Sequence, residues 1–131
     1  MAYAVKDGAL YDTKYYESGT LVAHTFVKLG TAATQFQAIA HATNDRPYGV
    51  LEEVTANKAL PMKLIVFGPA KVVAGSAGFT AGKMVCIDAT GKVVDATPTY
   101  GTEQIVGWAE ESAADGDLGT IFVCKILAAG S

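Results

Sequence analysis

Two cysteines, Cys86 and Cys124, and two histidines, His24 and His41, are the residues of this 131-residue chain that could pair a nucleophile with a base. Both cysteines lie inside apolar runs, Met84-Val85-Cys86-Ile87 and Ile121-Phe122-Val123-Cys124, poor places for a reactive thiolate. No Cys/His set has metal-ligand spacing, so no metal site and no catalytic residue is expected. Glu52-Glu53 and Glu110-Glu111 are the two acid pairs. Neighbouring strand residues point to opposite faces, so neither pair can flank one substrate bond. Gly78-Phe79-Thr80-Ala81-Gly82-Lys83-Met84 resembles a phosphate loop only superficially. It has three residues between the glycines, not four, and Met84 stands where Ser or Thr would ligate magnesium. Its glycines fit turns. Trp108 could offer a stacking platform, but its place in a strand pattern suits core or interface better. The residues thus predict no enzyme.

The elements that would position these residues are short β runs. Residues 84–88, 92–94, 104–111 and 118–125 are rich in β-branched and aromatic residues and are closed by Gly, Asp or Asn. The same pattern occurs earlier at one constant offset. Val27-Lys28-Leu29 matches Val85-Cys86-Ile87 (85 − 27 = 58), and Gly49 through Glu53 matches Gly107 through Glu111 (107 − 49 = 58). Leu60 with Leu64-Ile65-Val66 matches Leu118 with Phe122-Val123-Cys124, again at 118 − 60 = 58. Fixed-period similarity of this kind predicts two copies of one β unit, residues 18–67 and 76–125, within a single β domain spanning 18–131. His24 falls where the second unit has Gly82, at a turn. Gly68-Pro69-Ala70 is expected to break the chain between the units, Phe36–Ala40 is expected to be a short strand, and residues 31–41 are the one place that would allow a helical turn. The fold class is therefore all-β, a β-barrel or β-sandwich-like domain with little helix.

Composition narrows the function classes. Half the residues are hydrophobic and 18% charged, enough apolar material for a sizeable core. A net charge of −3 argues against general nucleic-acid binding, which needs bases to neutralise phosphates. The charge is uneven: residues 84–131 hold seven acids and two lysines (−5), residues 1–83 six acids and eight bases (+2). Such a dipole could help subunits dock head to tail. The longest strongly apolar run, Leu64 to Phe67, is far below the ~20 residues that span a bilayer. Met1 to Asp7 carries neither a basic nor an apolar segment, so no secretory signal is expected, and both thiols are expected free.

Residues 1–17 differ from the rest of the chain. They carry Tyr3, Tyr11, Tyr15 and Tyr16, four of the six tyrosines, between Lys6, Asp7, Asp12, Lys14 and Glu17, with no sustained period. Lying outside the repeat, they are expected to form an N-terminal arm. Its tyrosines offer contact area at low entropy cost and are the expected interface residues. The alternative is a local strand packed on its own subunit.

Residues 71–125 resemble the capsid cement, or head decoration, proteins of tailed bacteriophages. The resemblance rests on Val73-Ala74-Gly75, Thr80 through Val85, the Asp88-Ala89-Thr90-Gly91-Lys92-Val93-Val94 hairpin, Ile105 through Glu111, and Ala113-Ala114-Asp115-Gly116-Asp117 before an apolar last strand. It covers the second half directly and the first half through the repeat; the Tyr-rich start departs from it. The resemblance implies a structural virion protein that binds the outside of a phage capsid and stabilises it. It implies the major capsid protein as partner, self-association with a trimer preferred over a dimer, and a place on the capsid surface after synthesis in the host cytoplasm. It involves no cofactor, nucleic acid or membrane. The Ala-Gly turn-and-strand pattern is also similar to sugar-binding antifreeze-like domains, which would imply a small-ligand or sugar-binding β module.

Overall fold

In a computed structural model of the chain, the described residues are 8–18, 21–29, 35–38, 47–52, 61–88, 90–96 and 104–127. They form nine strands: β1 Leu10–Ser18, β2 Phe26–Leu29, β3 Gln35–Ala38, β4 Gly49–Leu51, β5 Pro61–Val73, β6 Met84–Ile87, β7 Val93–Asp95, β8 Gln104–Ala109 and β9 Leu118–Leu127. No helix occurs among the described residues, in agreement with an all-β domain. The short strand expected at Phe36–Ala40 is β3, Gln35–Ala38, paired on both sides.

The strands follow the order β1-β3-β2-β4-β5-β9-β8-β6-β7, and β1 also pairs with β5. That extra pairing closes the first five strands into a ring: β1 lies parallel to β3 and antiparallel to β5. The other strands extend the sheet from the second half of β5. β6–β7, β6–β8 and β8–β9 are antiparallel ladders, and the parallel bridge Ala74↔Val93 returns β7 to the end of β5. Closure of this kind removes exposed strand edges.

The expectation that residues 1–17 stand apart from the fold is corrected for Leu10–Glu17, which belong to β1. Leu10 to Tyr15 lie opposite Phe67 to Pro61, and Tyr15 lies opposite Gln35 on the other side. The strand was hard to see because tyrosines and charged residues follow one another in 10–18 without the alternation of apolar and polar residues that marks a half-buried strand. Tyr3 lies outside the described residues.

The expected break at Gly68-Pro69-Ala70 is also replaced. β5 runs through it for 13 residues and changes partners there, from β1 and β4 to β9. Gly68 permits this crossing. Its φ is +104°, and a Cβ there would lie 2.3 Å from the carbonyl oxygen of Gly8 and 2.7 Å from Ala9 Cα. No side chain fits between the two backbones.

The pairing positions keep the expected offset of 58 in two ladders and depart from it in the third block, where Val50 opposes Ile65 and Trp108 opposes Phe122 (122 − 65 = 57, not 58). Phe26↔Val50 and Val27↔Gly49 join β2 to β4; Met84↔Trp108 and Val85↔Gly107 join β6 to β8. Each member differs by 58 (84 − 26, 108 − 50, 85 − 27, 107 − 49). Outside the ladders, the His24 N–H donates to Leu51 O and the Leu51 N–H to Thr25 O, while Gly82 donates to Ala109 O and Ala109 to Lys83 O. His24, at φ 65°, is the non-glycine residue with positive φ among those described, and it stands opposite Gly82 in this correspondence. In pairing terms β1 holds the place in the first ring that Gly68–Ala74 holds in the second.

Two core clusters result. Leu21, Val27, Leu51, Met62 and Leu64 pack on the inner face of the first ring. The larger cluster combines Phe26, Val50 and Ile65 from the opposite face of those strands with Val72, Ala74, Ile87, Val93 and further residues of the second half. Two hydrogen bonds of 2.9 Å fix this junction: Phe26 N–H to Gly91 O, and Val73 N–H to His24 O.

Candidate interaction surface

Directly opposed residues in antiparallel strands share a face, so ladders place side chains in rows. One row runs Phe26–Val50–Ile65–Tyr11 across β2, β4, β5 and β1. Phe26, Val50 and Ile65 are fully buried, and Tyr11 is half-buried against them. A second row runs Met84–Trp108–Phe122–Pro69 across β6, β8, β9 and β5. It is open to solvent: Met84 is 56% exposed and Trp108 40%.

Aromatic packing organises this open row. Trp108 stacks on Phe122 with ring centres 4.8 Å apart and planes 8° from parallel, and Phe67 meets Phe122 edge-on at 5.3 Å. Both geometries are favoured by the ring quadrupoles, so the side chains hold one another in place without a cover. Phe67 is 41% exposed, and Leu10, opposite it on β1, is 61% exposed. The apolar face thus crosses five strands.

Backbones approach closely beside the row. A Cβ on Gly107 would fall 1.8 Å from Phe122 O, at the point where the β6–β8 and β8–β9 registers shift. Gly49 is the matching residue of the first ring, where a Cβ would lie 2.9 Å from Ile65 O. Beyond Phe122 the face ends in charge. Lys71 stands opposite Thr120 and lies 3.8 Å from Glu111, whose carboxylate accepts the Thr120 N–H at 2.8 Å. That hydrogen bonding, helped by Lys71, holds the Glu111 carboxyl below its ordinary range.

The structure distributes the four expected interface tyrosines differently. Tyr11 faces inward, and its hydroxyl donates to Glu52 Oε2 at 3.3 Å. Tyr15 and Tyr16 are consecutive positions of β1, opposite Gln35 and Phe36 of β3. Tyr3 lies outside the described residues. Sequence reasoning missed Met84, Phe122, Phe67 and Leu10 as surface residues. Their apolar strand runs read as core, and nothing local marks which of two equivalent faces is covered.

The residues considered for catalysis are not brought together. Cys86 is buried with its Sγ 3.9 Å from Asp95 O, Cys124 is half-buried, and both thiols are free. His24 is half-buried with Nδ1 unpartnered. His41 lies outside the described residues. Among the described residues no group of three or more His, Cys, Asp or Glu could hold a metal ion. A shallow hollow of about 490 Å³ lies between loops 76–80 and 112–115. Its polar groups serve the loops. Thr80 donates its N–H and hydroxyl to the two Asp95 oxygens at 2.8 and 2.9 Å, and Ala81 N–H donates to Ser112 Oγ at 3.0 Å.

No protein-family model and no curated protein sequence matches the chain. Among solved structures, the N-terminal base of the head fiber gp8.5 of bacteriophage phi29 is similar in fold. The TM-score is 0.65 at 19% identity, covering 90% of this chain and 98% of that one. At that identity the likeness establishes a shared fold.

Proposed function

We propose that the chain is a structural protein of a tailed-phage virion that binds the outside of the capsid and cements the shell. The observation that carries this reading is the fold shared over nearly the whole length with the base of a phage head fiber. The cement-protein motifs of residues 71–125 support it independently. The two halves are read as copies of one β unit, a scaffold stiffened by ring closure and joined through β5. In this role the protein performs no catalysis and takes no cofactor. Its partners are the major capsid protein and further copies of itself, a trimer before a dimer.

Binding to the assembled shell and not to dissociated subunits shifts the equilibrium towards assembly. Many copies make individually weak contacts effective together. The test mixes purified protein with empty shells of the phage whose genome encodes it. Saturable co-sedimentation and a higher shell melting temperature are expected. Protein left in the supernatant, or bound protein with no change in shell melting, overturns the cement role.

A further inference from the structure

Among the described residues nothing packs over the row Met84–Trp108–Phe122–Pro69. Met84 and Trp108 are exposed, and Phe122 and Pro69 are half-buried. With Phe67 and Leu10 beside it, the row forms an apolar patch of the kind that marks an interaction site.

The chain enters the fold at one end of this row. Gly8 is exposed and stands in a turn with φ +81°. A Cβ on it would lie 3.7 Å from Pro69 Cδ, in ordinary contact with the last side chain of the row. The next residue, Ala9, is buried in the larger core, and Leu10 is exposed again, opposite Phe67. The core side of this crossing is therefore filled. Gly8 is entered from the solvent side, next to Pro69 and Phe67.

We infer that residues 1–7 lie across this row of their own chain and cover it in the free protein. Their length permits it. Seven extended residues reach ~23 Å, whereas the row crosses three strand spacings, ~14 Å from Pro69 to Met84. Their order suits it as well. Alternate side chains of an extended segment share a face. Met1, Tyr3 and Val5 then fall on one side and Ala2, Ala4 and Lys6 on the other, with Asp7 next to the turn. The first side brings large apolar groups to the aromatic row, and the second can meet water. Attachment at Gly8 also favours the chain's own row. A short tether holds a segment near its site at an effective concentration on the order of millimolar, which a segment from another copy would have to match. A single segment buries less than the packed half over Val50, so a partner that uses the row can displace it. None of this depends on the cement role.

Trp108 is the only tryptophan of the chain, so its fluorescence reads the cover directly. Deleting residues 2–7 leaves Gly8 and all of β1 in place. The deletion should keep the β-sheet circular dichroism, shift the Trp108 emission to longer wavelength and strengthen its quenching by acrylamide. Unchanged emission and quenching in the folded variant would overturn the inference. A second measurement uses the full-length chain and stands even where the deletion fails to fold. A photo-crosslinking residue in place of Tyr3, in an equal mixture of isotopically light and heavy copies, should link to the peptides that carry Trp108 or Phe122 within single copies. Links joining light to heavy copies would place the segment on a neighbour, and links to other parts of the same copy would place it off the row. Either result overturns the intramolecular cover.

Discussion

Val50 and Trp108 occupy one position in two matching ladders. Val50 lies opposite Phe26 and Ile65, Trp108 opposite Met84 and Phe122. Val50 is fully buried, whereas Trp108 is 40% exposed. The backbone therefore does not set the residue's surroundings. What differs is whether another part of the chain packs over the face. A small β-branched side chain suits the covered site, and a large aromatic that can stack on its neighbour suits the open one.

Exchanging the two residues separates these roles. Val50→Trp forces an indole into a closed core and is expected to cost about 3 kcal/mol or more, the upper end of overpacking penalties. Trp108→Val loses stacking on Phe122 and should cost only about 1 kcal/mol. Urea denaturation of both variants measures the difference. Equal costs would mean that the two faces are not distinct in the folded chain.

Gly68 and Gly82 test two different reasons for glycine. At Gly82 φ is +84° with open space around the missing Cβ, so Gly82→Ala should cost about 1 kcal/mol from backbone strain alone. At Gly68 the same change adds a clash with the backbone of Gly8 and Ala9. Gly68→Ala is expected to cost about 3 kcal/mol or more, or to prevent folding. Thermal melts of the two alanine variants rank them.

The strand periods and the all-β class could be read from the residues because inward apolar positions such as Val27, Leu51, Leu64, Val85, Ala109 and Ile121 recur along the strands; the offset of 58 holds only in part, since Leu51 opposes Leu64 and Ala109 opposes Ile121 (121 − 64 = 57). Three things could not be read. Gly68-Pro69 looks like punctuation, since the pair usually ends a strand. Here it is the pivot of one strand, and only the crossing of Gly8 explains it. Strand β1 shares no matching residue block with Gly68–Ala74, although it holds the same pairing place, so the arm looked separable. Exposure of Trp108 was equally hidden, because coverage of one row and not the other is a tertiary property.

Thiol labelling follows burial. Both cysteines are free, so two thiols should titrate in the unfolded, unreduced protein. In the folded protein, half-buried Cys124 should react before buried Cys86, as peptide mapping after brief alkylation would reveal. Titration of fewer than two thiols would indicate an oxidised form at odds with the structure.

Tyr48 should make stability fall at alkaline pH. Its hydroxyl donates to Asp12 Oδ2, and that bond, then burial, then the Asp12 charge push its pKa up from 10.0 to about 12. The folded state thus holds the phenolic proton more tightly than the unfolded state. The resulting stabilisation is complete below pH 10.0 and is lost as pH rises towards about 12. Tyr48→Phe should be less stable than wild type at neutral pH, with the difference shrinking across that window. Tyrosinate absorbance should show one phenol titrating late in wild type and absent from the variant.

Deleting residues 2–16 decides how far the N-terminal region belongs to the core. β1 is hydrogen-bonded to β5 on one side and β3 on the other, so removing Leu10 to Tyr16 opens the first ring. It exposes the edges of both neighbours and uncovers Ile65, which Tyr11 faces across the ladder. Unpaired edges and uncovered apolar side chains favour aggregation over a smaller folded domain. Loss of soluble, cooperatively melting protein is the expected outcome, by size-exclusion chromatography and circular dichroism. A truncated chain that melts like the full one would show that β1 is an accessory to a fold completed without it. The Tyr11→Phe variant removes the hydroxyl bond to Glu52 and should keep the fold, at a cost of about 1 kcal/mol. The pair of results distinguishes the strand's backbone role from that of its tyrosine.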